Sequence, residues 1–178
     1  MNKSLNLIIT GLLISLVGVV IFLAKSIGIE ISKVLIPILL IFSGGFAISF
    51  SKANSQNNKV KQYHLLQGVG FIAFALASFF SKNLENFLYI ICFFTLFHGL
   101  LEFLLGFTTL NNKNINWNII IYRFLAGIVN LIIAFTLLIF TFSDKFQAII
   151  LAGVSILLSG ISIIIFSLKS KQIINENQ

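Results

Sequence analysis

Residues 5–24 read LNLIITGLLISLVGVVIFLA and contain no charged side chain. At a rise of about 1.5 Å per residue, a helix of this length spans the hydrocarbon core of a bilayer, which is about 30 Å thick. Five further apolar segments cover residues 34–51, 63–80, 87–108, 118–142 and 147–168. Lipid offers no hydrogen-bond partner to a backbone, so each segment must satisfy its polar groups internally. The sequence therefore predicts an all-α bundle of six transmembrane helices.

The composition of the whole chain also indicates a membrane protein. Of its 178 residues, 58% are hydrophobic and only 10% are charged. A water-soluble domain of this size needs more charge to cover its surface. The net charge of +7 comes from lysines scattered over the connections, and no nucleic-acid-binding motif accompanies them. We therefore expect the lipid bilayer, and not a nucleic acid, as the partner.

One glycine recurs at a matching place in each segment. The first segments of successive pairs carry Gly11, Gly68 and Gly127, and the second segments carry Gly44, Gly99 and Gly160. The separation within a pair is 33, 31 or 33 residues, and successive pairs are 57 and 59 residues apart. Self-similarity of this kind indicates one helical hairpin used three times. The hairpins cover about 5–52, 60–109 and 117–169 of a single membrane domain, and a polar tail follows over 170–178.

The even number of crossings in each hairpin predicts three parallel hairpins, related by an axis along the membrane normal. Helices in lipid associate through close packing, which small residues permit. We interpret the six glycines as helix-packing residues, at crossings either within a hairpin or between hairpins. The alternative is that they line a pore or a substrate path.

Basic residues are distributed unequally between the two ends of the predicted bundle. The end that carries the termini holds eight of them: Lys3, Lys52, Lys59, Lys61, Lys113, Arg123, Lys169 and Lys171. The opposite end holds four: Lys25, Lys33, Lys82 and Lys145. Short loops rich in Lys and Arg stay in the cytoplasm, so we predict a cell-membrane protein with both termini cytoplasmic. Tyr63, Trp117 and Tyr122 lie near helix ends at this face, where we expect their amphipathic rings at the membrane interface, and His64 lies close to it.

Two charged residues lie well inside apolar segments, namely Glu102 in the fourth and Arg123 in the fifth. A short connection joins these segments, and both residues lie at a similar depth from the same face. An unpaired charge near a helix centre costs roughly 2.5–3.5 kcal/mol on insertion scales, so we predict an ion pair. Snorkelling of Arg123 to the headgroups is the alternative.

Further polar residues extend this predicted intramembrane cluster. His98 precedes Glu102 by four residues and shares its helix face, while Asn130 and Gln67 lie on neighbouring segments. Interhelical hydrogen bonds that set the register are the simplest explanation. A proton-responsive site is the second interpretation, because histidine changes charge near neutral pH. A substrate site is the third.

Motifs for catalysis and metal binding are missing from the sequence. It contains no HExxH, no GxSxG and no phosphate-binding glycine loop. His98 and Glu102 alone supply too few ligands for a metal. The one cysteine, Cys92, is typical of a packing residue. We therefore expect no enzyme activity and no catalytic, cofactor-binding or metal site.

Several of these motifs resemble the HdeD family of acid-resistance membrane proteins over about residues 5–168. They are Gly11-x6-Gly18, Ser43-Gly44-Gly45, His98-Gly99-Leu100-Leu101-Glu102, and Trp117 followed by Gly127 and Ser159-Gly160. Family members often carry a proline in the loop within a hairpin, whereas Pro37 stands here at the start of the second segment. The resemblance implies a role in acid-stress tolerance and carries over no catalytic or ligand residue.

Two functions follow as expectations. The first is a non-enzymatic membrane protein that contributes to acid or envelope stress tolerance through packing or partner contacts. The second is a small proton-coupled transporter or proton-conducting protein that uses Glu102, His98 and Arg123. Whether the chain binds a second copy or another membrane protein cannot be read from its sequence.

Overall fold

A computed structural model describes residues 3–53, 58–110 and 117–176. Within these ranges every secondary-structure element is helical, which confirms the predicted all-α class. Six helices are long and one has a single turn. They are α1 (Lys3–Phe22), α2 (Ala24–Ile27), α3 (Ile29–Ala53), α4 (Asn58–Phe79), α5 (Leu84–Leu110), α6 (Trp117–Ser143) and α7 (Lys145–Glu176).

Several helix ends differ from the sequence-based boundaries, and the differences in α3 and α7 change an expectation. α3 begins at Ile29, after Gly28, whose φ of 96° lies in the left-handed region that glycine tolerates. Pro37 therefore lies inside α3 and not at its start. α7 continues through residues 170–176 of the predicted polar tail, because no glycine or proline interrupts the backbone hydrogen bonds there. Residues 177 and 178 lie outside the described ranges.

Five of the long helices are long and apolar enough to cross a membrane, so the chain is a multi-pass membrane protein. Their candidate spans are Leu5–Phe22, Glu30–Ala53, Leu84–Phe107, Ile120–Phe140 and Lys145–Leu168. α4, which contains the predicted segment 63–80, is not among them, because its first turns carry Lys61, Gln62, His64 and Gln67.

The exterior of the bundle is apolar, and its charged pair lies inside, unlike the arrangement usual in a water-soluble protein. Large apolar residues such as Phe80 and Ile139 are 75% and 66% exposed, whereas Glu102, His98 and Arg123 are at most 1% exposed. An apolar exterior with charges buried inside is the distribution expected when lipid surrounds the bundle.

The closest helix contacts lie at three crossings, α1 with α7, α3 with α4 and α5 with α6. At each crossing two glycines face one another: Gly11 and Gly160, Gly44 and Gly68, and Gly99 and Gly127. A Cβ added to Gly44 would lie 2.7 Å from the carbonyl oxygen of Gly68, and the reverse distance is also 2.7 Å.

The other two crossings show the same reciprocal geometry. A Cβ on Gly11 would lie 2.7 Å from the Gly160 carbonyl oxygen, and one on Gly99 would lie 3.1 Å from the Gly127 oxygen. All three crossings join the second helix of one predicted hairpin to the first helix of another. Of the two placements that the sequence allowed, the glycine crossings therefore occur between hairpins.

We predict that the crossings tolerate no side chain, and Gly44 with its neighbour Gly45 offers a matched test. Gly44→Ala forces a methyl group against backbone and should lower the free energy of unfolding by about 1–3 kcal/mol. A Cβ on Gly45 has nothing within 4 Å, so Gly45→Ala should be neutral or stabilise the helix by up to about 1 kcal/mol. Unfolding in detergent measures both, and equal stability of the two variants would contradict the proposed packing role.

Candidate functional site

A buried ion pair links α5 and α6. The Arg123 guanidinium donates through Nη1 to Glu102 Oε2, and both side chains are almost fully buried. The guanidinium carbon also lies 3.8 Å from the centroid of the Phe166 ring on α7. Arg123 therefore neutralises the carboxylate and stacks on an aromatic face within the bundle, instead of reaching towards the headgroups.

His98 lies one helical turn from Glu102 but forms no hydrogen bond with it. Its Nε2 is 3.6 Å from Glu102 Oε1, and the ring lies beside the contacting rings of Phe71 and Phe94, with both centroids 6.4 Å away. Neither ring nitrogen has a hydrogen-bond partner among the described residues. The imidazole is thus placed beside the carboxylate in an apolar setting.

A second buried histidine lies on α4. His64 Nδ1 is 2.9 Å from Gln67 Oε1, and the ring packs edge-on against Phe50 and Tyr63 at centroid distances of 4.6 and 4.7 Å. The Tyr63 hydroxyl lies close to both Glu102 and Arg123. Gln67, which the sequence placed in the cluster, therefore contacts His64 and not the ion pair.

Asn130 belongs to a separate polar chain between α5, α6 and α7. Its Nδ2 donates to the Ala126 carbonyl oxygen at 2.9 Å, and its Oδ1 lies 3.0 Å from Ser159 Oγ. Ser155 Oγ lies 3.3 Å from Thr95 Oγ1. The structure thus divides the predicted cluster into three groups: the ion pair with His98, the His64–Gln67 pair, and the chain through Asn130.

Tyr63 is the site residue that sequence reasoning missed, whereas His64 was expected close to the interface and is buried. Tyr63 was expected at the membrane interface, but it is 6% exposed and points into the bundle. The spacing of both residues from Gln67 indicates their position, since polar residues three and four apart share one helix face. On an otherwise apolar helix, that face must lie inside the bundle.

The three glycine crossings present equivalent positions that carry different side chains. Glu102 is three residues after the α5 glycine, and Arg123 is four before the α6 glycine. The same counts give Ala47 and His64 at the α3–α4 crossing, and Ile163 and Leu7 at the α7–α1 crossing. All six residues are buried. At the α7–α1 crossing, apolar side chains therefore fill the two positions that Glu102 and Arg123 occupy at the α5–α6 crossing.

The ion pair lies near one end of the bundle. We call this end the terminal face, because α1 starts there and α7 ends there. At 1.5 Å per residue, Arg123 is about 9 Å from the start of α6 and Glu102 about 12 Å from the end of α5. The opposite end of α5 is about 27 Å from Glu102. Ion pairing of Lys145 with Glu85 at 3.1 Å joins α7 and α5 at that opposite face.

Apolar side chains fill most of the interior of the opposite half. They are Ile14, Val17, Ile36, Leu40, Ala75, Leu88, Ile91, Leu137, Ala148 and Ala152, all at most 1% exposed. The buried polar exceptions there among the described residues are Ser32, Ser78, Cys92, Thr95 and Ser155. Cys92 Sγ donates to the Ala134 carbonyl oxygen at 3.1 Å. The interior is therefore richer in polar groups on the terminal side, and mainly hydrocarbon fills the other half, apart from the chain through Ser155 and Thr95.

Comparisons of the chain with protein-family models, with curated proteins and with solved structures each found no match. Its function must therefore be inferred from the geometry of the site. Among the described residues, no three His, Cys, Asp or Glu side chains lie together as a metal site would require.

We predict that the ion pair can be replaced but not broken. Glu102→Ile or Arg123→Leu alone leaves a buried charge unpaired and should cost about 3–5 kcal/mol of stability. The double variant copies Ile163 and Leu7 and should be as stable as wild type or more so. A double-mutant cycle measures the coupling between Glu102 and Arg123. The control Glu85→Gln breaks a partly exposed pair and should cost at most about 1 kcal/mol of stability. Additive single effects would contradict this interpretation.

Proposed function

We propose that this chain is a non-enzymatic, HdeD-like membrane protein that responds to acid through the Glu102–Arg123 pair and contributes to acid-stress tolerance. The observation that supports it is the burial of an ion pair at a position where apolar residues fit elsewhere in the same bundle. Buried charges cost more than hydrophobic residues of similar size, so their presence favours a functional role.

The acid response follows from the charges that surround Glu102. Protonation of Glu102 removes the negative charge that holds Arg123, and the guanidinium is then left unpaired inside the bundle. The other titratable side chains near the pair are Tyr63 and His64 on α4, His98 on α5 and Tyr122 beside Arg123. A proton on either histidine adds a second positive charge. Protonation of Glu102 and protonation of a histidine therefore both weaken the closed bundle as the pH falls.

We further propose six membrane crossings in three parallel hairpins that form a closed ring. The reciprocal glycine contacts at three crossings support this arrangement, since they recur at equivalent positions. α4 belongs to the ring because its polar residues His64 and Gln67 are buried, whereas its exposed residues include Leu66 and Leu76. Its low overall hydropathy therefore reflects the polar interior and not a position outside the membrane.

Proton conduction is the weaker alternative. A conducting path needs polar groups or water along the whole bundle, as in proton relays of membrane proteins. The side chains that fill the opposite half are mostly aliphatic, and they separate Glu102 from the far face by about 27 Å. A protein that binds protons from one side fits this distribution better than a protein that passes them across.

The apolar double variant Glu102→Ile with Arg123→Leu should lose the acid response while it keeps the fold. Wild-type stability in detergent should fall between neutral and acidic pH, which a lower Tm in acid measures. The double variant should change by less than about 1 kcal/mol, and the control Glu85→Gln should behave as wild type.

The same variants test the role in cells. In a strain that lacks its own copy, wild type and Glu85→Gln should restore survival in acid, whereas the double variant should not, at equal amounts in the membrane. A double variant that protects as well as wild type would refute the proposal.

The proposed cytoplasmic position of both termini is tested by cysteine labelling. The native Cys92 is 5% exposed, so it should not react with the label. In whole cells, Lys82→Cys on the opposite face should react with a membrane-impermeant maleimide, whereas Lys52→Cys should react only after lysis. The reverse pattern would place the termini outside.

A further inference from the structure

The lysines at the two faces of the bundle differ in whether carboxylates pair with them. At the opposite face, Lys33 Nζ lies 3.3 Å from Glu30 Oε1, and Lys145 Nζ lies 3.1 Å from Glu85 Oε2. At the terminal face, apart from the buried ion pair, the sequence holds seven lysines and a single acidic residue, Glu176. The unpaired positive charge of the exterior is therefore concentrated at the terminal face.

Two of these lysines belong to neighbouring helix ends, where α3 finishes and α4 begins. Lys52 is exposed in the last turn of α3, and Lys61 is half-buried in the first turn of α4. The Ser51 hydroxyl donates to the Lys61 carbonyl oxygen at 2.6 Å, which holds the two helix ends together. Neither lysine has an ion-pair partner among the described residues, and no Asp or Glu occurs between Glu30 and Glu85. Both ammonium groups are thus available to an external anion.

The lipid-facing side of α3 carries small residues directly below Lys52. Phe42, Gly45, Ser49 and Lys52 are all exposed, and spacings of three, four and three residues place them on one helix face. A Cβ added to Gly45 would have nothing within 4 Å, so no neighbouring helix covers the backbone there. The result is a shallow groove that runs about 15 Å from Phe42 to Lys52. That length is half the hydrocarbon core of a bilayer, so one acyl chain of a single leaflet fits along it.

We propose that the ends of α3 and α4 bind an anionic phospholipid of the leaflet next to the terminal face, an inference that goes beyond the proposed function. Lys52 and Lys61 bind the headgroup phosphate, and one acyl chain lies along α3 over Gly45 and Ser49. Each lysine near a membrane surface raises the affinity for an anionic headgroup about fivefold. Phosphatidylcholine carries the same phosphate, but its own ammonium group cancels the charge, so it binds more weakly.

A second copy of the chain is the other candidate for this surface, because small residues on exposed helix faces also support helix association in lipid. Two copies inserted in the same orientation and packed through Gly45 would bring their Lys52 side chains to the same depth. Like charges in such a position repel, and the only acidic residue of α3 and α4 is Glu30, at the opposite face. Charge complementarity therefore favours an anionic lipid over a second copy.

The test measures binding of phosphatidylglycerol and phosphatidylcholine to the purified full chain in detergent, by native mass spectrometry. Wild type should bind phosphatidylglycerol more tightly, and Lys52→Gln with Lys61→Gln should weaken phosphatidylglycerol binding about 25-fold. Lys52→Arg with Lys61→Arg preserves both charges and should preserve the preference. The matched control Lys33→Gln with Lys145→Gln removes two lysines from the opposite face and should leave the phosphatidylglycerol affinity unchanged.

Three results would overturn the proposal. The first is equal affinity of wild type for the two lipids. The second is an equal loss of affinity in the opposite-face control, which would show attraction by overall charge instead of a site. The third is a dimer that forms without phosphatidylglycerol and that Gly45→Leu disrupts, which would assign the groove to a second copy. If the groove holds an acyl chain, Gly45→Leu should instead weaken lipid binding in a protein that is monomeric throughout.

Discussion

Close approach of backbones at three glycine crossings is the constraint on which the rest of this bundle depends. Lipid provides little hydrophobic driving force between helices, so their association relies on packing distance. The reciprocal contacts of Gly11 with Gly160, and their counterparts at the other crossings, bring helix axes together where any side chain would collide. The interior positions that surround each crossing are consequently closed to solvent, and any polar group there must find its partner within the protein.

Because all three crossings share this geometry, the charged pair at one of them can be compared with the residues at the other two. Equivalent positions hold Leu7 with Ile163 and His64 with Ala47, so the geometry does not require charge. Two of the three crossings therefore pack without an ion pair at these positions. The neighbouring aromatic rings and His98 complete a site in which the electrostatic interaction is strong, because little water screens it.

Much of the fold and part of the site could be predicted from the sequence, because length, charge and depth in the membrane can be read from it. Segment length and lack of charge identify spans, and the depth of Glu102 and Arg123 from one face brings them together. Two features escaped prediction. Tyr63 was assigned to the interface, because depth alone does not tell which way a ring points. The cluster was expected as one group, although Asn130 and Gln67 each bond elsewhere, because hydrogen-bond partners depend on rotation of helices about their axes.

The ion pair lies closer to one face of the bundle than to the other, so only part of the membrane potential acts on a proton that reaches it from that face. A charge that crosses the whole membrane gains about 2.3 kcal/mol per 100 mV of membrane potential. A proton that enters from the terminal face and stops about 9–12 Å inside crosses roughly a third of that field and gains about 0.7–0.8 kcal/mol. In the proposed acid response, an energy of this size changes proton binding about three- to fourfold per 100 mV, so the membrane voltage modulates a site that responds mainly to acidity at the terminal face.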